Sequence, residues 1–542
     1  MRPGKTTAVF FLLAVIFRLL YIYLYPPGGT DHEMIHSAVD NLLSGNGLTF
    51  PIANTNDLSV KSYQPMTEWP PLVAYYISIV KAIVGNAQGA DLIIMCLGMV
   101  LLLLVMHNIM KLLHITEQAR AVLWIFIAAN PSPFHNVGIS DLYGALFMMW
   151  GTMFLLRFIQ QHQISNAQLT IASLFFFLPA AFRYQYYPLV FIFPVLLIVA
   201  GKLKENQYLL KKGWLSLSIV FFLFCFQVTM LYQRSGTGSY IADDKTGFYP
   251  ENLLHFYPFL IKAFINSGYF ETKLLLTGGR QIMPVYYTLC AILTFNILFK
   301  TFTYLAVQLK RFDKKSEDPN EVLKLSRFFV FAIAMGVVMV LSAISLRYYP
   351  QISNSGGMFT YVKESRYFIV TSLLFLVLFT SLLQHYLLRF NLGSLLSFRK
   401  LAVASFFLIN LSLFGKFIYN VSAGSLPNSI GKKSDNRQLV QYEMESLLDT
   451  YKLPIVAASQ YKDLIYSPNI KDYRVIRNFK EFFEKGIQTS QPVQVVLVTK
   501  RNLSAEEKQI ISQRNAQEVV NNKYIRMFHF IADNKNAIAM MY

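Results

Sequence analysis

The residues best suited to chemistry follow the first apolar segment directly, in the run PPGGTDHEMIH at positions 26–36. Two carboxylates, Asp31 and Glu33, stand there with one residue between them, ahead of an amphipathic helical pattern. A carboxylate in this place could act as a general base that accepts the proton of an attacking hydroxyl. It could equally be a helix cap, because Thr30 and Asp31 are both residue types favoured at helix N-termini.

A third acid and several cations stand at the ends of later apolar segments. These are Asp141, Arg183, Arg280, Lys363 and Arg366, of which Arg183 and Arg280 are chosen by position alone. Arginine and lysine grip phosphate oxygens through charge-assisted hydrogen bonds. A neutralised phosphate leaves readily, so one base beside several cations suits sugar transfer from a polyprenyl-phosphate donor. The plainer alternatives are that Asp141 caps the next helix and that the arginines reach toward lipid headgroups.

The composition indicates the class of protein that must position these residues. The chain has 542 residues, of which 54% are hydrophobic and only 15% charged. A soluble protein has about 25% charged residues, and apolar runs of about 18 to 22 residues recur here, the length that crosses a bilayer as a helix. The net charge of +19 comes largely from short basic loops, as the positive-inside rule predicts. We therefore expect membrane lipids, and no nucleic acid, as partners.

The apolar pattern predicts an α-helical polytopic protein with about 11 spans. The basic loops fall on one side, so we expect a cytoplasmic N-terminus and an extracytoplasmic C-terminus in the cytoplasmic membrane. The predicted spans are roughly 8–25, 91–113, 119–134, 142–160, 167–182, 186–200, 214–232, 282–305, 328–346, 367–388 and 401–419.

Two domains are predicted, a membrane domain over 1–420 and a small extracytoplasmic α/β domain over 421–542. The first outer loop, 26–90, should carry an amphipathic helix and an interfacial helix, with a polar, turn-rich passage between them. The helices are predicted at 31–44 and 70–84 and the passage at 50–67, and the tail alternates helical runs at 435–452 and 504–520 with strand-like runs at 455–459, 493–499 and 524–531.

Short motifs in this order carry a family resemblance. The acidic loop is followed by NLLSGNGL at 41–48 and WPPL at 69–72, and later by an outer loop from Asn130-Pro131 to Ser140-Asp141 and by SRY at 365–367. This order resembles the GT-C superfamily of membrane glycosyltransferases, and is closest to its protein O-mannosyltransferase and aminoarabinose-transferase branch. The resemblance covers about residues 1–420.

The resemblance implies an inverting glycosyltransferase that uses a polyprenyl-phosphate-linked sugar on the outer membrane face, with a glycan, lipid or protein as acceptor. It implies that Asp31 deprotonates the acceptor or orients it. Glu33 and Asp141 would lie at the donor–acceptor site, and Arg366 with Lys363 would bind the donor phosphate.

One departure from the family pattern concerns the acids. In the mannosyltransferase pattern two adjacent acids follow the first span, whereas here His32 separates Asp31 from Glu33, which puts a protein acceptor in doubt. Some relatives hold a divalent metal with such acids. His32, Glu33 and His36 could contribute ligands, so the sequence allows a divalent metal site. No cofactor is assigned.

Three rival functions remain. A transporter or flippase for lipid-linked sugars should show paired repeats and polar groups near the bilayer midplane, which the predicted spans do not show. A glycan polymerase or ligase would keep the class and change the acceptor. A non-catalytic scaffold would tolerate replacement of Asp31.

Overall fold

The structure is a computed structural model. It describes residues 3–24, 30–54, 56–67, 69–129, 134, 137–161, 163–235, 248–250, 283–313, 318–346, 351–352, 358–359, 365–388, 431–459, 472–476, 489–500, 502–522 and 525–533. Contacts divide the chain into two units. One comprises 1–26, 68–73 and 91–419, and the other 27–67, 74–90 and 420–542. The predicted boundary at 420 had assigned the whole first outer loop to the membrane domain, whereas most of that loop belongs to the second unit.

Helices make up most of the described chain. They are α1 (Pro3–Leu24), α2 (Thr30–Leu43), α3 (Pro71–Val84), α4 (Ala87–Leu112), α5 (Glu117–Ala129), α6 (Ile139–Gln160), α7 (Asn166–Phe182), α8 (Ile192–Leu203), α9 (Gln207–Ser235), α10 (Met283–Lys310), α11 (Pro319–Ser345), α12 (Ile369–Leu388), α13 (Gly431–Tyr451) and α14 (Ala505–Gln513). Two 3-10 helices, Tyr184–Phe191 and Ser365–Phe368, precede α8 and α12.

Six described segments are long and apolar enough to cross a membrane, so the chain is a multi-pass membrane protein. They are Ala87–Leu112, Ile139–Gln160, Tyr184–Leu203, Gln207–Gln233, Thr288–Lys310 and Pro319–Ser345. The expected count of about 11 is not confirmed. Apolar stretches in α1, α7 and α12 are shorter than a full span, α5 has 13 residues, and the predicted span 401–419 lies outside the described residues.

Packing within the first unit joins α1 to α5, α6 to α7, α8 to α9, and α11 to α12. Close approach between the helices depends on small residues. A side chain at Gly213 of α9 would collide with the backbone of Ile198 in α8, since a Cβ there would lie 2.8 Å from the Ile198 nitrogen. In a membrane no hydrophobic force drives helices together, so small residues favour packing by letting the helix backbones approach closely.

The second unit is built on one mixed sheet. Its strands are β1 (Thr49–Asn54), β2 (Asp57–Pro65), β5 (Ile455–Ala458), β6 (Tyr473–Val475), β7 (Val493–Lys500), β8 (Gln517–Asn521) and β9 (Ile525–Ala532), while β3 (Gln351–Ile352) and β4 (Met358–Phe359) pair in the first unit. The order is β2-β1-β6-β5-β7-β9-β8. The central pairs from β1 to β7 are parallel and the outer pairs antiparallel, which explains why β5 is buried at every position.

The hairpin of β1 and β2 corrects the prediction of a turn-rich passage at 50–67. The sequence pattern does not indicate this hairpin, because β2 is an edge strand with one fully buried apolar residue, Leu58. The hairpin is tied to the C-terminal part of the unit by side chains. Asp57 Oδ1 accepts hydrogen bonds from the backbone N–H groups of Ser59 and Ser490, both at 3.0 Å. The first outer loop therefore supplies two strands of the C-terminal sheet.

The predicted helix at 504–520 is also wrong in its second half. Helix α14 ends at Gln513, and residues 517–521 form the edge strand β8. The break falls at Asn515, whose φ of 49° is a left-handed conformation that stops a helix and that asparagine adopts more easily than most residues.

Lowering the pH should loosen β9. His529 is buried, its Nε2 lies 3.1 Å from Gln494 Oε1, and its ring lies 4.9 Å from that of Tyr451. Burial lowers the pKa of His529 in the folded protein, whereas in the unfolded chain it has the ordinary histidine pKa of about 6.5. Below that pH the unfolded chain binds more protons than the folded one, so the stability of the fold decreases as the pH falls. Hydrogen exchange of β9 in the full chain should accelerate between pH 7 and 5. His529→Gln should flatten this dependence, and an unchanged profile would contradict the prediction.

Candidate functional site

The first turn of α6 holds a buried acid. Gly138 caps the helix, and its N–H donates to Asp141 Oδ2 at 3.3 Å. The Asp141 side chain is 1% exposed, and a negative charge in a first turn is favoured by the helix dipole. Asp141 therefore takes part in capping α6 from the first turn, while Gly138 is the N-cap residue, and this does not exclude a second role.

Arg183 is the cation beside this acid. It follows α7 in an extended conformation, which turns its side chain back toward α6. Its Nε lies 2.9 Å from Asp141 Oδ1 but donates toward Gln185 Oε1 at 3.3 Å, so the contact with Asp141 is an ion pair rather than a linear hydrogen bond. Nη1 donates to Ser140 Oγ at 2.9 Å.

Aromatic residues enclose the pair. The Tyr367 ring lies under the Arg183 guanidinium at 5.1 Å, and Tyr186 is 1% exposed. Tyr186 approaches α6 closely because Gly144 lacks a side chain, since a Cβ there would lie 2.5 Å from Tyr186 Cε2. The arrangement is a water-poor charge pair held by two helix ends and by the 3-10 helix that carries Arg366 and Tyr367.

The structure thus brings together two of the seven predicted site residues, and places three others by backbone only. Asp31 and Glu33 lie in the first turn of α2, and Arg366 lies in the 3-10 helix Ser365–Phe368. Their side chains are outside what the structure describes, as are Lys363 and Arg280 altogether.

An ion pair that the sequence analysis did not predict fixes α2. Asp40 of α2 bonds to Lys81 of α3, and both side chains are largely buried. Burial raises the pKa of Asp40, and the Lys81 hydrogen bond acts against that rise. The pair holds the acidic helix to α3 within the second unit, and only the three-dimensional fold reveals it, since 41 residues separate the partners.

His32 and His36 are described residues of α2 that could hold a divalent metal. They lie one helical turn apart with ring centroids separated by 4.5 Å, and imidazole nitrogens are ordinary zinc ligands. A zinc site takes three or four protein ligands, so two histidines alone would not complete one. Metal dependence therefore stays a prediction.

Arg18 is a further cation that the sequence analysis missed. It lies in α1 and is 2% exposed. The signal was available, because a lone arginine within the apolar run 8–25 is not explained by the positive-inside rule, which concerns loops.

No protein-family model matches the chain, and no curated protein matches it. Among solved structures, it is similar to ArnT from Cupriavidus metallidurans bound to undecaprenyl phosphate, with 11% identity over 98% of each chain and a TM-score of 0.53. The apo state of that ArnT matches at 11% identity over 100% of each chain, with a TM-score of 0.51. ArnT is an aminoarabinose transferase of the GT-C superfamily. The resemblance to that superfamily is therefore confirmed as a similarity of fold.

Proposed function

We propose that the protein is an inverting glycosyltransferase that moves a sugar from a polyprenyl-phosphate donor to an acceptor hydroxyl. The observation that carries the proposal is the full-length similarity of fold to ArnT bound to undecaprenyl phosphate. An acidic first turn in α2 and the buried Asp141–Arg183 pair support it. The reaction would take place on the outer face of the cytoplasmic membrane.

In the proposed reaction the acceptor oxygen attacks the anomeric carbon and the bond from that carbon to the phosphate oxygen breaks. Asp31 accepts the hydroxyl proton, and the phosphate leaves with the bonding electrons as polyprenyl phosphate. A single displacement of this kind inverts the anomeric configuration. Arg366 and Lys363, with Arg280, would hold the phosphate, and Glu33 would contact the acceptor or a metal.

Arg183 and Asp141 take a more specific part in this proposal. Because Arg183 already has a buried counter-charge, its net attraction for a phosphate is reduced. We assign Asp141 to holding Arg183 in place, and Arg183 to the rim of the phosphate site beside the 3-10 helix that carries Arg366.

The test is an assay with purified protein in nanodiscs and a panel of undecaprenyl-phosphate-linked hexose, pentose and amino-sugar donors. We expect one donor to release undecaprenyl phosphate only when an acceptor is present, with inversion at the anomeric carbon. Glycan, lipid and peptide acceptors are compared in parallel, with and without chelator. Retention of configuration, or no cleavage of any donor, would contradict the proposal.

The same preparation separates the rival functions. A flippase would move intact lipid-linked sugar between leaflets of a vesicle without releasing undecaprenyl phosphate. A polymerase or ligase would instead extend or transfer a lipid-linked glycan, so its product would stay attached to a long glycan.

A further inference from the structure

Arg18 lies on the face of α1 that packs against protein. The exposed side chains of the helix mark the opposite face, so Arg18 does not reach into lipid. The described buried residues of α1 are Thr7, Ala14, Arg18, Tyr21 and Ile22, and the exposed large apolar ones are Val9, Leu12, Leu13, Ile16, Leu20 and Tyr23.

The surroundings of Arg18 satisfy only part of its guanidinium. Nη2 donates to the carbonyl oxygen of Ala128 at 2.8 Å, one of the carbonyls left unpaired at the end of α5. The rings of Tyr21 and Phe134 lie 5.5 Å from the guanidinium carbon. Within the described residues, Nε and Nη1 are buried and have no hydrogen-bond partner.

The buried guanidinium of Arg18 needs an anion as its counter-charge. Arginine stays protonated in proteins, and Nε with Nη1 carries most of its N–H donors. A buried charge without a counter-charge is unfavourable, and one carbonyl and two ring faces supply no negative charge. Planar guanidinium donors match the oxygens of a phosphate. We propose that Arg18 binds a phosphate group through N–H donors that the Ala128 carbonyl leaves unpaired.

The position in the helix indicates which phosphate. Arg18 is six residues before the end of α1, roughly 9 Å along the axis, and Ala128 is next to the last residue of α5. Arg18 therefore lies in the half of α1 that leads to the first outer loop, and its partner Ala128 lies at the end of α5. Resting on the proposed function, we assign the phosphate of the polyprenyl-phosphate lipid to Arg18.

The test compares binding of undecaprenyl phosphate, undecaprenol and inorganic phosphate to the full-length protein in nanodiscs. Arg18→Met should weaken undecaprenyl phosphate binding about 10- to 100-fold, the effect of losing a hydrogen bond to a charged group, and leave undecaprenol binding unchanged. Arg18→Lys, which keeps the charge but loses the fork, should fall between. Arg120→Met is the matched control, because Arg120 is another buried arginine, in the first turns of α5, but has the Glu117 carboxylate as a counter-charge at 3.8 Å. This variant should keep the wild-type preference for phosphate.

Two outcomes would overturn the inference. If Arg18→Met lowers the melting temperature but keeps the preference for undecaprenyl phosphate over undecaprenol, Arg18 only caps α5. If inorganic phosphate alone binds in an Arg18-dependent way, the assignment to the lipid is wrong.

The inference and the proposed function can fail separately. An Arg18-dependent preference for undecaprenyl phosphate without turnover of any donor would keep the anion site and remove the function. Sugar transfer by Arg18→Met with wild-type affinity for undecaprenyl phosphate would keep the proposed function and remove the anion site.

Discussion

Asp31→Asn is expected to lower the rate of sugar transfer by about 100-fold or more while the protein remains folded. The amide keeps the size of the side chain but cannot accept the acceptor's proton, and general base catalysis contributes about 10²- to 10⁴-fold. Asp31 lies in the first turn of α2, which the Asp40–Lys81 pair fixes to α3. Transfer is measured at saturating donor and acceptor, together with the melting temperature.

This substitution also separates catalysis from capping. Asparagine, like aspartate, can accept hydrogen bonds from the backbone N–H groups at a helix N-terminus, so a purely capping Asp31 predicts nearly unchanged activity in Asp31→Asn. Asp449→Asn is the matched control, because Asp449 lies on a helix of the same unit and its side chain is 85% exposed. Wild-type transfer by a folded Asp31→Asn protein would remove Asp31 from the mechanism.

The parts of the fold that the sequence predicts are those with local causes. Apolar periodicity and turn residues placed α2 and α3 within a residue or two of their bounds, because Gly45 and Gly85 stop these helices with φ of 83°. The strands β5, β7 and β9 were recognisable as apolar runs between turns. The alternative that Asp141 caps the next helix rests on the same kind of local signal.

The parts that escaped prediction depend on partners far along the chain. Strand β1 pairs with β6 at Ile52 and Val475, and no local pattern announces a partner more than 400 residues away. In the same way, Arg183 was chosen by position alone, and its pairing with Asp141 follows from how the ends of α6 and α7 meet. Sequence patterns identify charged groups, but the fold decides which of them neutralise each other.

The Asp141–Arg183 pair carries the second large prediction. Asp141→Asn and Arg183→Gln should each lower the free energy of unfolding by about 3–5 kcal/mol, because each leaves a buried partner charge uncompensated. The side chains of Asp141 and Arg183 are only 1% and 11% exposed, so solvent screening reduces the expected loss of stability only slightly. The double variant should be destabilised by less than the sum of the two single effects, with a coupling of about 1–3 kcal/mol. Equilibrium unfolding in mixed detergent micelles measures all four proteins.

The exposed pair of Asp449 and Lys452, separated by 3.8 Å with side chains 85% and 78% exposed, is the control for this cycle. Surface pairs contribute about 0–1 kcal/mol, so Asp449→Asn with Lys452→Gln should show almost no coupling. Additive effects at Asp141 and Arg183 would mean that the two charges do not depend on each other. Strong coupling would instead support the assignment of Asp141 to holding Arg183 in place, because each charge would then depend on the other for its stability in the buried site.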